Sequence, residues 1–435
     1  MQSNSIETYY SQYLKYLKNL AAMPSVFTNP EDVKKAIQYC KKVFEENLHE
    51  YSVYFDKEHN LLAVPDDINK EKDCIYLSAH IDTVDANPDE WDKPYHPWHV
   101  YENEDELVAR GISDCKAGVA YQLFLSFLAS KNILSLRNLV FTITFKEEGA
   151  GKKSATEIAK EMGRTLPISS KSTYLIVLEN NGSVATIPTL SIYAAERGNF
   201  VVTITDHIPT LQKLLTQLPH WNPVSIAPQE ESHILDWDMK TQEGGHVCSV
   251  TREKNLLTKI LLEAGKTTVI KAGEEKNFSV VPTKILVSQS KVPYKHALVI
   301  SNRSFDTREQ VEQQLEGIAY QPLKDFSISQ GFNAEKKIKH DKIFSILEMC
   351  KDESSLHIEY SINMGCSDAT EIYTSLDMKT QAKVFPIVMG PGSRSQRNKT
   401  PQRLTHGKNE TFDKESGKRA LLYISKVLSR LECIR

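Results

Sequence analysis

In the N-terminal part of the chain, segments that are apolar at most positions alternate with segments in which apolar residues recur at helical spacing. Mostly apolar runs, "CIYLSAHIDTV" at 74–84 and "NLVFTITF" at 138–145, are typical of strands buried on both faces of a sheet. Between them, "KAGVAYQLFLSFLASKNI" at 116–133 carries apolar residues along a helical stripe. The alternation continues with a predicted helix over 154–163 and a strand over 172–180. This order predicts an α/β domain with a mainly parallel sheet and helices on both faces.

The pattern changes in the middle of the chain. "NFVVTITD" at 199–206 and "HALVISNRSF" at 296–305 alternate apolar and polar residues, as half-exposed strands do. Strands of this kind, mixed with helices, indicate an inserted α+β domain over roughly 196–330. The helices predicted within it span 208–217, 252–264 and 306–317.

The C-terminal part returns to the first pattern. A helix is predicted over 334–350, and a closing helix from about 413 to 431. We therefore expect residues 1–195 and 331–435 to form one domain that is interrupted by the insert.

Composition and charge exclude several classes of protein. Hydrophobic residues make up 40% and charged residues 25% of the chain, as in soluble globular proteins. A net charge of −3 argues against a nucleic-acid binder, and the sequence has no apolar run long enough to span a membrane. The start resembles no secretory signal, and the seven cysteines form no CxxC pairs. These features predict a cytoplasmic protein with free thiols.

Carboxylates and imidazoles follow successive predicted strands. Ligand sites in parallel sheets lie beyond the carboxyl ends of the strands, and such donors suit a hard or borderline divalent cation. The sequence therefore predicts a metal site at this edge of the sheet. The residues that fall there, or near the C-terminus, are His80, Asp82, Asp114, Glu147, Glu148, Glu179 and His406.

Glu147 and Glu148 are adjacent in "KEEG". Two carboxylates about 4 Å apart repel by roughly 4 kcal/mol at a protein-like effective dielectric. A strand turns neighbouring side chains to opposite faces, so the two can converge only where the strand has ended. The pair is explained if one glutamate binds a cation and the other stays free as a base.

Taken in order, these motifs resemble those of the M20 metallopeptidases, a family that includes succinyl-diaminopimelate desuccinylase, acetylornithine deacetylase, carboxypeptidase G2 and aminoacylase. The resemblance covers nearly the whole chain. In the insert, "GGHVCSVTREKNLL", "AGEEKNFSVVP" and "ISNRSF" resemble the family's lid motifs. The motifs of the first domain are "HIDTV" (80–84), "GISDCKAG" (111–118), "EEG" (147–149), Glu179 and "HGKNE" (406–410).

The resemblance implies two zinc ions, with cobalt or manganese as alternatives. Asp114 would bridge the two ions. His80 and Glu179 would hold one ion, and Glu148 and His406 the other.

The resemblance also implies roles for the residues around the ions. Glu147 would act as general base, taking a proton from a metal-bridging water and passing it to the leaving amine. Asp82 would lie behind His80 and fix its tautomer. The peptide bond between Asp114 and Cys115 would be cis.

From the insert, which would serve as a lid and dimerisation domain, the resemblance implies further contacts. His246 would stabilise the oxyanion and Arg303 would bind a substrate carboxylate. Asn277 and Gly392 are further candidates for substrate binding. A homodimer would form through the lid.

Several alternatives stay open at the level of sequence. Asp114 could cap the helix predicted at 116–130, and His406 could be an ordinary surface histidine. The order of the motifs favours metal binding for both. The expected activity is hydrolysis of the amide bond of a small N-acyl amino acid or short peptide with a free carboxylate. Deacylase and dipeptidase or carboxypeptidase activities are not separated, and a catalytically inactive binding or regulatory protein is the alternative.

Overall fold

The computed structural model describes most of the first domain and part of the insert. The described residues are 3–69, 71–149, 152–165, 171–179, 189–196, 198, 200–206, 232–235, 279–288, 296–303, 320–322, 331–352, 356–363, 366–391 and 406–435.

The chain divides into two compact units. The first unit comprises Met1–Glu196, Phe332–Asn363 and Ser367–Arg435. The second unit comprises Arg197–Gly331 and Met364–Cys366. The lid and dimerisation roles expected for the insert stay predictions.

Strands are numbered in chain order. They are β1 Tyr51–Phe55, β2 Leu61–Pro65, β3 Cys74–His80, β4 Tyr101–Glu102, β5 Glu106–Val108, β6 Leu139–Thr144, β7 Thr173–Val177, β8 Thr189–Glu196, β9 Phe200–Asp206, β10 Ser232–Leu235, β11 Ser279–Ser288, β12 His296–Arg303, β13 Tyr320–Pro322, β14 Phe332–Asn333, β15 His357–Asn363, β16 Val384–Val388 and β17 Thr411–Asp413.

The helices of the described residues are numbered in the same way. They are α1 Ser3–Ala21, α2 Pro30–Asn47, α3 Lys116–Ser130, α4 Lys152–Thr165, α5 Glu335–Lys339, α6 Lys342–Asp352, α7 Asp368–Ser375, α8 Met378–Gln381 and α9 Lys414–Arg430. None of these helices combines the length and hydropathy that crossing a bilayer requires.

A large sheet forms the centre of the first unit. Among the described strands its order is β1-β2-β6-β3-β7-β16-β8-β14, with β15 paired to β8. The central pairs β6–β3, β3–β7 and β7–β16 are parallel, whereas β1 and β2 form an antiparallel edge. This confirms the predicted α/β fold with a mainly parallel sheet.

The central strands form because their sequences suit burial on both faces. Every residue of β3, β6 and β7 is buried, and so is nearly every residue of α3. A strand covered on both sides gains from apolar residues at every position rather than at alternate ones. The mostly apolar runs in the sequence therefore identify these strands correctly.

The single helix predicted over 334–350 is wrong. The chain forms α5 and α6 instead, with a break at Asp341. The carboxylate of Asp341 accepts a hydrogen bond from the main-chain N–H of Ile343 at 2.9 Å and one from the Tyr174 hydroxyl at 2.8 Å. A side chain that accepts from the N–H of a first turn starts a new helix, and this contact divides the predicted one.

The described strands of the second unit form an antiparallel sheet in the order β10-β11-β12-β9-β13. The half-exposed strands predicted at 199–206 and 296–305 correspond to β9 and β12. The helices predicted at 208–217, 252–264 and 306–317 lie outside the described residues.

Candidate metal centre and hydrolytic site

The predicted donors of the first unit lie where neighbouring parallel strands end. His80 is the last residue of β3 and pairs with Thr144, the last residue of β6. Glu147 follows β6 closely, and Glu179 follows β7. Because the carboxyl ends of parallel strands share one edge of the sheet, the topology brings these side chains together.

Asp114 lies in the short loop before α3. Its peptide bond to Cys115 is cis, as the motif predicts. The N-cap residue of α3 is Cys115, which makes no side-chain capping hydrogen bond. The Asp114 carboxylate faces His80 and His406 instead, so the capping alternative is wrong.

Histidines and carboxylates from four separate stretches of chain contact one another directly. Nε2 of His80 lies 3.0 Å from Oδ1 of Asp114, and Nε2 of His406 lies 3.2 Å from Oδ2. Nε2 of His406 is also 2.9 Å from Oε1 of Glu148. We call these residues the histidine–carboxylate quartet. Ligand atoms of His80, Asp114 and Glu148 lie within 4.8 Å of one another, so this cluster could hold a metal ion.

Two further glutamates lie beside the quartet. Glu179 is buried, and its Oε2 has no hydrogen-bond partner among the described residues. Burial raises the pKa of Glu179 well above its ordinary value, and the neighbouring carboxylates Asp114 and Glu147 add to the shift. Burial also raises the pKa of Glu147 well above its ordinary value, against the opposing effect of His80.

The partnerless oxygen of Glu179 tests whether these residues suit a metal. A buried carboxylate without a partner is costly, and a cation beside it would remove that cost. The neighbouring donors are imidazole nitrogens and carboxylate oxygens, which bind zinc, cobalt and manganese. The residues present therefore fit a metal centre.

A sequence model described as "Peptidase family M20/M25/M40" matches residues 76–430. The chain belongs to this family. The match extends from β3 to the closing helix α9 and so includes every residue of the site described above. It confirms the resemblance inferred from the motifs, and the chain is accordingly a metallopeptidase.

Solved structures share the fold of this M20 chain. Human carnosine dipeptidase 1 aligns over 99% of both chains at 12% identity with a TM-score of 0.64. The dipeptidase Dug1p from Saccharomyces cerevisiae aligns over 99% of this chain and 97% of its own at 13% identity and a TM-score of 0.64. The M20 family metallo-carboxypeptidase Sso-CP2 from Sulfolobus solfataricus aligns over 97% and 99%, respectively, at 14% identity and 0.63. Comparison with curated protein sequences gives no match.

Asp82 of the M20 motif contacts more than His80. Its Oδ1 accepts a hydrogen bond from the main-chain N–H of Glu147 at 2.9 Å, and its Oδ2 accepts one from Glu148 at 3.0 Å. Nδ1 of His80 is 3.0 Å from the main-chain oxygen of Asp82 and 3.5 Å from Oδ1. The carboxylate of Asp82 thus holds the loop of the adjacent glutamates, and its expected role in fixing the tautomer of His80 stays a prediction.

Asp368 is a further buried carboxylate close to this edge of the sheet. It is the first residue of α7, and the hydroxyl of Thr144 donates a hydrogen bond to its Oδ2. Burial raises the pKa of Asp368 to about 6. The contact joins α7 to the end of β6, just before the two glutamates.

Close backbone packing fixes the position of Glu179. A Cβ atom added to Gly118 would lie 2.5 Å from the main-chain oxygen of Leu178. One added to Gly390 would lie 2.5 Å from that same oxygen and 2.7 Å from the main-chain oxygen of Glu179. The two glycines therefore let α3 and the end of β16 pack directly against the chain at Glu179.

The remaining predicted site residues belong to parts that the structure describes less fully. His246, Asn277 and Gly392 lie outside the described residues. Arg303 is the last residue of β12, where its backbone pairs with Ser279. The roles of these residues stay predictions.

Proposed function

We propose that the chain is a co-catalytic di-zinc hydrolase of the M20 family. It cleaves the amide bond of a short peptide or small N-acyl amino acid that carries a free carboxylate. The observation that supports this most is the quartet itself, a cluster of alternating imidazoles and carboxylates at the sheet edge with Glu147 and Glu179 beside it.

Asp114 would be shared between two ions. His80 and Glu179 would complete one binding set, and Glu148 and His406 the other. The two oxygens of Asp114 face different histidines, which supports this division. When bound, the ions supply Lewis acidity to the scissile carbonyl and to the attacking water.

Glu147 would be the residue that moves protons. Its main-chain N–H is held by Asp82, so the start of its side chain is fixed relative to His80. Its carboxylate would take a proton from the attacking water and deliver it to the leaving nitrogen. The neighbouring Glu148 contacts His406 within the quartet. Glu148 would therefore bind metal, and Glu147 would act as the base.

The substrate class follows from the same proposal. The named activities of the structural neighbours make dipeptides and C-terminal peptide bonds the first substrates to test, with N-acyl amino acids second. Arg303 would bind the substrate carboxylate, Asn277 and Gly392 would make further substrate contacts, and His246 would stabilise the oxyanion. A homodimer through the second unit and a cytoplasmic location complete the proposal.

Substitution of the general base tests this function. Purified wild-type protein loaded with zinc should hydrolyse at least one member of a panel of dipeptides and acyl-amino acids. Glu147→Gln should lower kcat by about 10²- to 10⁴-fold, the usual contribution of a general base, with zinc content unchanged by elemental analysis.

A matched control is Glu45→Gln, which alters an exposed glutamate of α2. Its kcat should equal that of the wild type. Unaltered hydrolysis by Glu147→Gln would contradict the base assignment. Absence of both zinc and turnover in the wild type would favour the binding or regulatory protein.

A further inference from the structure

A buried carboxylate that is not among the predicted site residues contacts the loop that precedes α3 and carries Asp114. Glu410 is 1% exposed. Its Oε2 accepts hydrogen bonds from Nη1 of Arg110 and the main-chain N–H of Gly111, both at 2.9 Å. Its Oε1 accepts from the main-chain N–H of Ser113 at 3.0 Å and of Asp114 at 3.1 Å. Both oxygens are therefore occupied by the chain itself.

The same contacts reach the loop that carries His406. Nη2 of Arg110, whose Nη1 binds Glu410, donates to the main-chain oxygen of His406 at 3.3 Å. The hydroxyl of Ser113 donates to the main-chain oxygen of Thr411 at 2.8 Å. The loop before α3 is thus bonded to the chain both before Glu410, at His406, and after it, at Thr411.

The backbone of His406 needs such support. Its φ angle is 64°, a left-handed conformation that residues other than glycine adopt at a cost. The bond from Arg110 to its main-chain oxygen is one contact that holds it there. The ring of His406 then reaches both Asp114 and Glu148.

Electrostatics makes Glu410 suited to this task. Hydrogen bonds from main-chain N–H groups or a guanidinium to a carboxylate are charge-assisted and stronger than neutral ones. A buried carboxylate that is fully hydrogen-bonded is tolerated, whereas one that loses its donors is not. Glu410 is thereby satisfied without a metal, in contrast to Glu179.

We infer that Glu410 is a positioning residue of the metal centre. It holds the main chain at Asp114 directly, and at His406 through Arg110. The carboxylate of Asp114 can then contact both His80 and His406. Glu410 contacts neither the ligand atoms nor the predicted base, and so it acts only through these residues. The inference rests on the proposed function, because it concerns the affinity of the same centre for zinc.

Zinc affinity tests the inference without using turnover. Glu410→Gln keeps the side-chain shape but removes the charge and turns an N–H group toward the loop's own N–H donors. Metal-free protein is titrated with zinc in competition with a chromophoric chelator. The dissociation constant should rise by about 10- to 100-fold, as for other residues that orient metal ligands. Cobalt-loaded Glu410→Gln should also show an altered visible absorption spectrum, because the spectrum reports the geometry of the ligands.

Asp341→Asn is the matched control. Asp341 also accepts hydrogen bonds from a hydroxyl and a main-chain N–H, but beside the start of β7 rather than its carboxyl end. Its loss should leave the zinc dissociation constant and the cobalt spectrum unchanged. Circular dichroism of each metal-free variant shows whether it is folded.

The outcomes are distinguishable. Equal zinc affinity and identical cobalt spectra for folded Glu410→Gln and wild type would overturn the role of Glu410 and leave the proposed function intact. A wild type that binds no zinc would overturn the proposed function and the inference with it. If Glu410→Gln does not fold, Arg110→Lys decides in its place, because it keeps the charge but cannot bridge Glu410 and the His406 carbonyl. Wild-type affinity in that variant would overturn the inference, and weaker affinity would support it.

Discussion

The quartet and the two glutamates beside it compensate charge in different ways. Within the quartet, each carboxylate has an imidazole in contact. Burial alone would raise the pKa of Asp114, but the hydrogen bonds with His406 and His80 hold it well below its ordinary value. The protein's own side chains thus keep this carboxylate charged.

Glu147 and Glu179 have no comparable partner in the described part of the chain. Burial raises the pKa of both, and Oε2 of Glu179 accepts no hydrogen bond among the described residues. Asp114 is thus kept charged by imidazoles of the chain itself, whereas Oε2 of Glu179 has no partner among the described residues and would gain one from a bound cation. Three experiments test this division.

Removal of metal should have the largest effect. A chelator should abolish hydrolysis, because the proposed reaction needs Lewis acidity that side chains do not supply, and added zinc should restore it. Zinc at 100 times its dissociation constant should also stabilise the folded state by about 2.7 kcal/mol. Activity assays and thermal unfolding with and without zinc measure both effects. Turnover that persists in the presence of the chelator would contradict the need for a metal ion.

Breaking the quartet should destabilise the metal-free protein. Glu148→Gln removes the charge that faces His406 and leaves this half-buried imidazole with a poorer acceptor. The expected loss is about 1–3 kcal/mol in the free energy of unfolding, measured by urea denaturation of the metal-free form at pH 7. A value equal to that of the wild type would mean that the pairing contributes nothing to the fold.

The equivalent change at Glu179 should have the opposite sign and a smaller size. Burial raises the pKa of Glu148 and of Glu179 in the folded protein, but Glu148 contacts an imidazole whereas Oε2 of Glu179 has no partner among the described residues. At pH 7 the carboxyl of Glu179 is therefore ionised more readily after unfolding, and this favours the unfolded state. Glu179→Gln removes that penalty. Metal-free Glu179→Gln should therefore be more stable than the metal-free wild type, although it binds zinc more weakly. Destabilisation in the same urea experiment would contradict the contrast with Glu148.

The sequence predicted the central sheet and its donors for a physical reason. Strands buried on both faces are mostly apolar, and the ends of parallel strands meet at one edge. The sequence therefore predicts that His80, Glu147 and Glu179 lie near one another. The order of the motifs added Asp114 and His406, which lie on loops.

Contacts between main chain and side chain were not predictable in this way. The carboxylate of Asp82 accepts from the N–H groups of the glutamate loop, and Glu410 accepts from a loop 296 to 300 positions away in sequence. Nearly every residue has a main-chain N–H, so the sequence does not show which of these groups a carboxylate will bind. Glu410 is therefore marked in the sequence by the motif "HGKNE" alone. The helix break at Asp341 was missed because its partner Tyr174 is distant in sequence.

Gly118 and Gly390 bear on how the enzyme tolerates change. Neither carries chemistry, yet even a methyl group at either position would overlap the main chain around Glu179. At this edge of the sheet, a position without a reactive side chain can therefore tolerate substitution as poorly as a catalytic one. Gly118 and Gly390 restrict the sequence because any larger residue would occupy the space that the main chain at Leu178 and Glu179 fills.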